Sequence, residues 1–378
     1  MTKRVGHIIL LVLLMLPFAV KAEEKESFDV KSFIFGHTSD GYCFHLSEFK
    51  GEPVCVWLPV IVRSKETGWH CFSSKHVCEL AEGETYQGFY IAPMTDPKYP
   101  GKLVEVTSSG EIKRPFDLSF TRNAFGIFLV CGFMLAFFLP AARRYKKDPM
   151  AVPNKYQGLV EWLTCMVLDG IISPSIPKSK VPKFAPYLLT VFFFIFFCNL
   201  FGLIPFFPFG ANVTGNLSVT LVLALCTYVA VNVLGNRHYW KDILWPDVPM
   251  FLKFPIPLMP IIELISTLTK PFALMIRLFA NILAGHIIIM VLMALIFIIG
   301  GMYGAGLGAA TSVISIFMMV FMTALECLVA YIQAYVFTML SSIFIGMSQE
   351  EEKEEVRSQK EEVRSQKEEV RRKYKQLN

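Results

Sequence analysis

The sequence predicts an all-α, multi-pass membrane protein of about five membrane helices, with a small β-rich hydrophilic domain ahead of the first span. Three observations lead there. Hydrophobic residues are 54 % of the 378 and charged residues only 18 %, less charge than soluble domains carry. The apolar residues fall in long unbroken runs: neither the 53 residues from Phe184 to Asn236 nor the stretch from Leu278 to Leu325 contains Asp, Glu, Lys or Arg. The net charge of +5 is modest, and basic clusters stand at the ends of those runs, where they set topology.

Residues 1–22 read as a signal peptide, with Lys3 and Arg4, an apolar stretch from Ile8 to Val20, and a small-residue cut site after Ala22. A short first membrane helix is the alternative, and either one exports the next segment. Residues 23–120 form that exported hydrophilic domain, with β-type runs such as Val54 to Val62 and turn signals at Asp40-Gly41 and Pro100-Gly101. Its Cys43, Cys55, Cys71 and Cys78 suggest one or two disulfides in an oxidising compartment, with the pairing open. His37, His45, His70 and His76 lie among them, but the spacings fit no zinc template and no metal is expected.

The membrane domain, 121–347, begins with a span at 123–142 followed by Arg143, Arg144, Lys146 and Lys147, which belong on the cytoplasmic side. Residues 154–172 carry apolar residues at helical spacing, with Glu161 and Asp169 between them. They read as a helix in the cytoplasmic interface or as a loop helix packed on its neighbours. Spans at 184–204 and 217–236 follow, joined by an uncharged loop rich in turn formers. Two longer segments, 256–299 and 309–347, flank Gly300 to Gly308, where five of nine residues are glycine and a hairpin tip is expected. At 1.5 Å per residue these segments are about 66 and 58 Å long against a hydrocarbon core of about 30 Å, so they must tilt strongly or bend near Pro271. The tail, 348–378, repeats Val-Arg-Ser-Gln-Lys-Glu-Glu at Val356 and Val363. With one apolar residue per heptad it reads as a solvated helix supported by charge pairs, or as one helix of a pair with a partner.

The candidate site lies in the hairpin. Arg277 stands alone in apolar sequence, and an arginine at the centre of a membrane helix costs at least about 2.5 kcal/mol, so it is normally kept for function and given a partner. With the tip centred near Ala305, an antiparallel hairpin brings Arg277 level with Gln333 and His286 level with Glu326. Glu326 and Gln333, seven residues apart, share one helix face; Lys270, Arg277 and Asn281 share another, and His286 points away from them. Polar groups at two heights and on two faces suit two aqueous half-paths flanking one fixed positive charge.

At these residues the chain resembles subunit a of the F-type ATP synthase. The resemblance rests on Arg-Leu-Phe-x-Asn at Arg277 to Asn281, Glu263 fourteen residues upstream, and Gln-Ala-Tyr-x-Phe at Gln333 to Phe337. Asn199-Leu-Phe-Gly-Leu-Ile-Pro205 and Asn212-Val-Thr214 add to it, and together these motifs cover roughly 153–347. Family members often carry an acid where His286 stands and a histidine where Glu326 stands; here the two are exchanged.

The resemblance implies a non-catalytic proton-channel and stator subunit in the inner membrane. It would have the N-terminal domain periplasmic and the C-terminus cytoplasmic, and would work beside the c-subunit ring, the b-subunit stalk and the rest of the complex. In that role Arg277 would keep the c-subunit carboxylate ionised and block direct proton flow, because guanidinium does not give up its proton. His286 and Glu326 would serve the outer half-path and Glu263 the inner one, with Asn281 and Gln333 binding water or orienting the arginine. Interhelical hydrogen bonding is the alternative for Asn281 and Gln333, and an interfacial charge pair is the alternative for Glu263 and Lys270. A sodium-translocating version of the subunit is left open by the sequence. An independent secondary transporter fits less well, because no second copy of the Arg277 pattern occurs. A purely docking membrane protein leaves the polar pairs unexplained. There is no nucleotide-binding loop, catalytic triad or metal motif, so no cofactor, nucleic-acid partner or chemical step is expected of this chain.

Overall fold

A computed structural model describes residues 40–349 apart from 50–51, 81–83, 94–95, 97, 108–109, 149, 151, 205–207, 245–257 and 304. The expected signal peptide, residues 23–39 and the charged tail from Glu350 lie outside the described residues.

The N-terminal part is a small β domain. Strands β1 (Cys43–Phe49) and β2 (Glu52–Trp57) pair antiparallel. Strand β3 (Pro59–Ser64) lies between β4 (Gly68–Ser73) and, further along the chain, β8 (Phe116–Asp117). A third sheet joins β5 (Phe89–Ile91), β6 (Leu103–Val106) and β7 (Ile112–Lys113). The apolar run expected as one strand from Val54 to Val62 is broken at Leu58, because Pro59 has no N–H to continue a ladder and instead opens β3. Along β3 the residues alternate strictly: Val60 and Val62 are fully buried while Pro59 and Arg63 face out. The inner side packs with Tyr42, Phe89, Leu103 and Val77 of the short helix α1 (Lys75–Cys78) into one core. Of the domain's four cysteines, Cys43 is hydrogen-bonded by Cys78 and Cys55, and Cys71 stands exposed on β4. Two of the histidines are engaged as ordinary polar residues, His70 with Gln87 and Thr67, and His76 stacked on Tyr86.

The remainder is helical. Helix α2 (Arg122–Lys147) is capped by Thr121, whose hydroxyl accepts from the Ala124 N–H, and ends on Arg144, Lys146 and Lys147, which suit the negative end of the helix dipole. Helix α3 (Lys155–Val167) starts with a reciprocal capping box between Asn154 and Gln157 and runs through a π-helical turn, Leu168–Ile172. Val160 and Val167 are buried against neighbouring helices, while Leu159 and Trp162 are exposed. Helix α4 (Val181–Gly202) is the centre of the bundle, more than half buried along its apolar window. It packs on α2 on one side and on the last helix on the other. Helix α5 (Leu217–Val233), 17 residues long, is apolar and shorter than the other spans, and α6 (Arg237–Leu244) follows it.

The hairpin consists of α7 (Leu258–Tyr303, 46 residues) and α8 (Ala305–Gln349, 45 residues). These two helices, α2 and α4 are the four described helices long and apolar enough to cross a membrane. Helix α7 is continuous through Pro271. The hairpin tip falls within the glycine-rich stretch, where only Gly304 separates the two helices. The glycines act by being small: a Cβ on Gly308 would lie 2.8 Å from the Gly300 Cα, so the helices touch backbone to backbone at their tip.

Candidate functional site

Three polar groupings lie along α7. Nearest the hairpin tip, His286 Nδ1 stands 3.8 Å from Glu326 Oε1, beyond hydrogen-bond length but within ion-pair reach. Glu326 is 5 % exposed, and neither carboxylate oxygen has a hydrogen-bond partner among the described residues. A buried, unsatisfied carboxylate is costly and is rarely kept in a membrane segment without use. Its place is made by Gly285, where a Cβ would come within 2.8 Å of Oε1. The end of α4 closes the same region, since a Cβ on Gly202 would lie 3.8 Å from His286 Nε2. Three residues before Gly202, buried Asn199 accepts from the Thr214 hydroxyl at 2.5 Å and donates to the Ala330 carbonyl of α8 at 3.4 Å.

In the middle, Asn281 Nδ2 donates to Gln333 Oε1 at 3.1 Å, and Gln333 is buried. The expected level pairing of Arg277 with Gln333 is therefore corrected by about one turn: Gln333 bonds the residue four positions further along α7. The His286 and Glu326 pairing is where the sequence placed it. Arg277 itself is exposed on the flank of the hairpin and makes no salt bridge among the described residues. Its guanidinium therefore faces whatever lies beside the chain.

Towards the start of α7, Glu263 is half buried, about 21 Å along the axis from Arg277, while His286 is about 14 Å away on the other side. Near Glu263 a narrow cleft, with room for little more than a single water, is lined by Asn232, Tyr239, Thr267 and Lys270, among others. The Asn232 Oδ1 is buried without a partner there. Lys270, expected on the face of Arg277, is half buried with its Nζ 5.4 Å from the Phe344 ring centroid. The face that Lys270 and Arg277 share is covered by Phe344 at the height of Lys270 and open at the height of Arg277.

A family model described as ATP synthase A chain matches residues 124–346. The chain belongs to the subunit a family of F-type ATP synthases. Among its relatives, the ATP synthase subunit a of Myxococcus xanthus is 38 % identical over 237 residues, covering 61 % of this chain and 73 % of the relative. That of Anaeromyxobacter dehalogenans is 40 % identical over 236 residues, covering 61 % and 58 %. The Chlorobium phaeobacteroides subunit is 36 % identical over 260 residues, covering 65 % and 71 %. A second model, described only as a domain of unknown function, matches residues 33–118, the β domain. As a subunit a family member the chain is a multi-pass membrane component of the Fo sector.

Sequence reasoning singled out Arg277, His286, Glu326, Asn281, Gln333 and Glu263, and the structure sets four of them in two contacting pairs. It missed Gly285 and the cleft at Asn232 and Tyr239. The signal for Gly285 was local, a residue without a side chain beside the one histidine of an apolar helix.

Proposed function

We propose that this chain carries protons through two half-channels to and from carboxylates on the c-subunit ring and so couples proton flow to rotation and ATP synthesis. The observation that carries the reading is the placement of Arg277. It is an exposed guanidinium on the hairpin flank, with a polar grouping about 14 Å to one side and another about 21 Å to the other. A c-subunit carboxylate passing Arg277 is held ionised by the nearby cation. The same cation separates the half-channels, because it neither donates nor accepts a proton in turnover. His286 and Glu326 serve the outer half-channel, each able to take up and release a proton towards the other across 3.8 Å. Glu263 serves the inner one, with Thr267 and Tyr239 beside it. Asn281 and Gln333, bonded to each other, hold α7 and α8 in register one turn from the arginine.

In this reading the N-terminal domain is periplasmic, the C-terminus is cytoplasmic, and the b-subunit stalk and the c ring are the neighbours. The basic cluster closing α2 supports that orientation. The test is ATP-driven acidification of inverted vesicles holding the assembled complex with Arg277 or with Arg277→Ala, ATP hydrolysis being followed in parallel. Loss of acidification with assembly intact is expected. Unchanged pumping would remove Arg277 from the mechanism.

A further inference from the structure

We propose that the outer face of the β4-β3-β8 sheet rests in the lipid headgroup region of the leaflet in which α2 begins, so that the β domain lies against the bilayer. The three strands set their side chains abreast. Trp69 and Phe116 flank Arg63 in one cross-strand row, and Cys71 pairs with Ile61 in the next, where the Leu118 N–H bonds the Ile61 carbonyl. In a third row Phe120 bonds Pro59. All these residues are on the side opposite the buried Val60 and Val62, and the face is open: Trp69 is 57 %, Phe116 63 % and Leu118 60 % exposed.

Continuity with the membrane helix identifies the occupant. Phe116, Leu118 and Phe120 alternate along one side of the strand, and the Phe120 ring then stacks on Phe128, two turns into α2, at 5.1 Å. Phe128 is 64 % exposed and shares a side with exposed Leu135 on a helix long and apolar enough to cross a membrane, a side open to lipid in this chain. The apolar sheet face therefore runs without a gap into surface that lipid covers. Its composition fits the headgroup level: the Arg63 guanidinium lies 5.7 Å from the Trp69 ring centroid and Trp69 meets Phe116 edge to face at 6.4 Å. Aromatic rings with an apolar body and a polar edge collect at that level, and a guanidinium there can pair with phosphate. The domain's attachment holds this posture, with Asp40 accepting from the Asn123 N–H, Gly41 from the Arg122 N–H, and Phe44 packed on Phe125 at 5.5 Å.

The experiment compares the assembled complex carrying the wild-type chain with one carrying Trp69→Phe, each in lipid nanodiscs. The difference isolates Trp69 emission. The expected result is blue-shifted emission, quenched at least twofold by phospholipids brominated near the headgroup and insensitive to aqueous iodide. Emission quenched by iodide and not by brominated lipid would mean the face meets water. Emission quenched by neither would mean another subunit covers it. Either outcome overturns the proposal, and neither bears on whether Arg277 couples proton flow.

Discussion

Replacing Gly285 by alanine tests whether the position of the Glu326 carboxylate matters. The new Cβ would stand 2.8 Å from Oε1, 2.9 Å from Cδ and 3.2 Å from Cγ. Three successive atoms are crowded, so turning the carboxylate tip is not enough and the side chain must move as a unit by about 0.6 Å to reach ordinary contact. Alanine gains about 1 kcal/mol over glycine in helix propensity, whereas overpacking costs about 1–3 kcal/mol, so the net destabilisation is no more than about 2 kcal/mol. The chain should therefore still assemble. Pumping is more sensitive than folding, because misplacing a reacting group by about 1 Å can cost up to a hundredfold, and a loss on the order of tenfold is expected. Acidification of inverted vesicles, normalised to complex content and compared with ATP hydrolysis, measures it. Gly132→Ala on α2, with nothing within 4 Å of the added carbon, is the control. If Gly285→Ala pumps at the control rate, the carboxylate's position has no bearing on transport and the reasoning fails.

Two further outcomes follow from other parts of the molecule. Gly346→Ala places a Cβ inside the contact radius of the Ser175 carbonyl oxygen, which is backbone and cannot swing away. That variant should show much reduced thermal stability of the assembled complex, by about 2 kcal/mol or more, and stability equal to wild type would contradict the packing. In the β domain, the hydrogen bond from Cys78 outweighs burial and, with the charge of Arg122, brings the Cys43 thiol down to about 7. The folded value is below that of a free thiol, so thiolate forms as pH rises through about 7 and not about 8.5. In reduced protein, alkylation of Cys43 followed by mass spectrometry should have its midpoint there, and Cys78→Ala should move it upward. A wild-type midpoint near 8.5 would refute the hydrogen bond.

The long spans and the polar groups of the hairpin were legible because both signals survive in one dimension: charge-free runs have a length, and residues on two antiparallel helices have a level. The pairing of His286 with Glu326 came from counting to the tip. The same count placed Arg277 level with Gln333, whose hydrogen bond goes instead to Asn281, one turn further along α7. Continuity through Pro271 was not legible, nor was Lys270 turning onto Phe344, since both depend on tertiary packing that a one-dimensional pattern does not carry. The β domain yielded its strands and not its sheets. Val54 to Val62 reads as one run by hydrophobicity, and only the missing N–H of Pro59 divides it.

The exposure of Arg277 also bears on how the protein is made. A guanidinium open to the side of a hairpin is tolerable beside a carboxylate or water and costs at least about 2.5 kcal/mol against lipid tails. A newly synthesised chain without neighbours therefore carries a built-in mark of incompleteness in the longest of its described helices. If the proposed neighbour covers that charge, the chain's lifetime in the cell should follow the neighbour's supply.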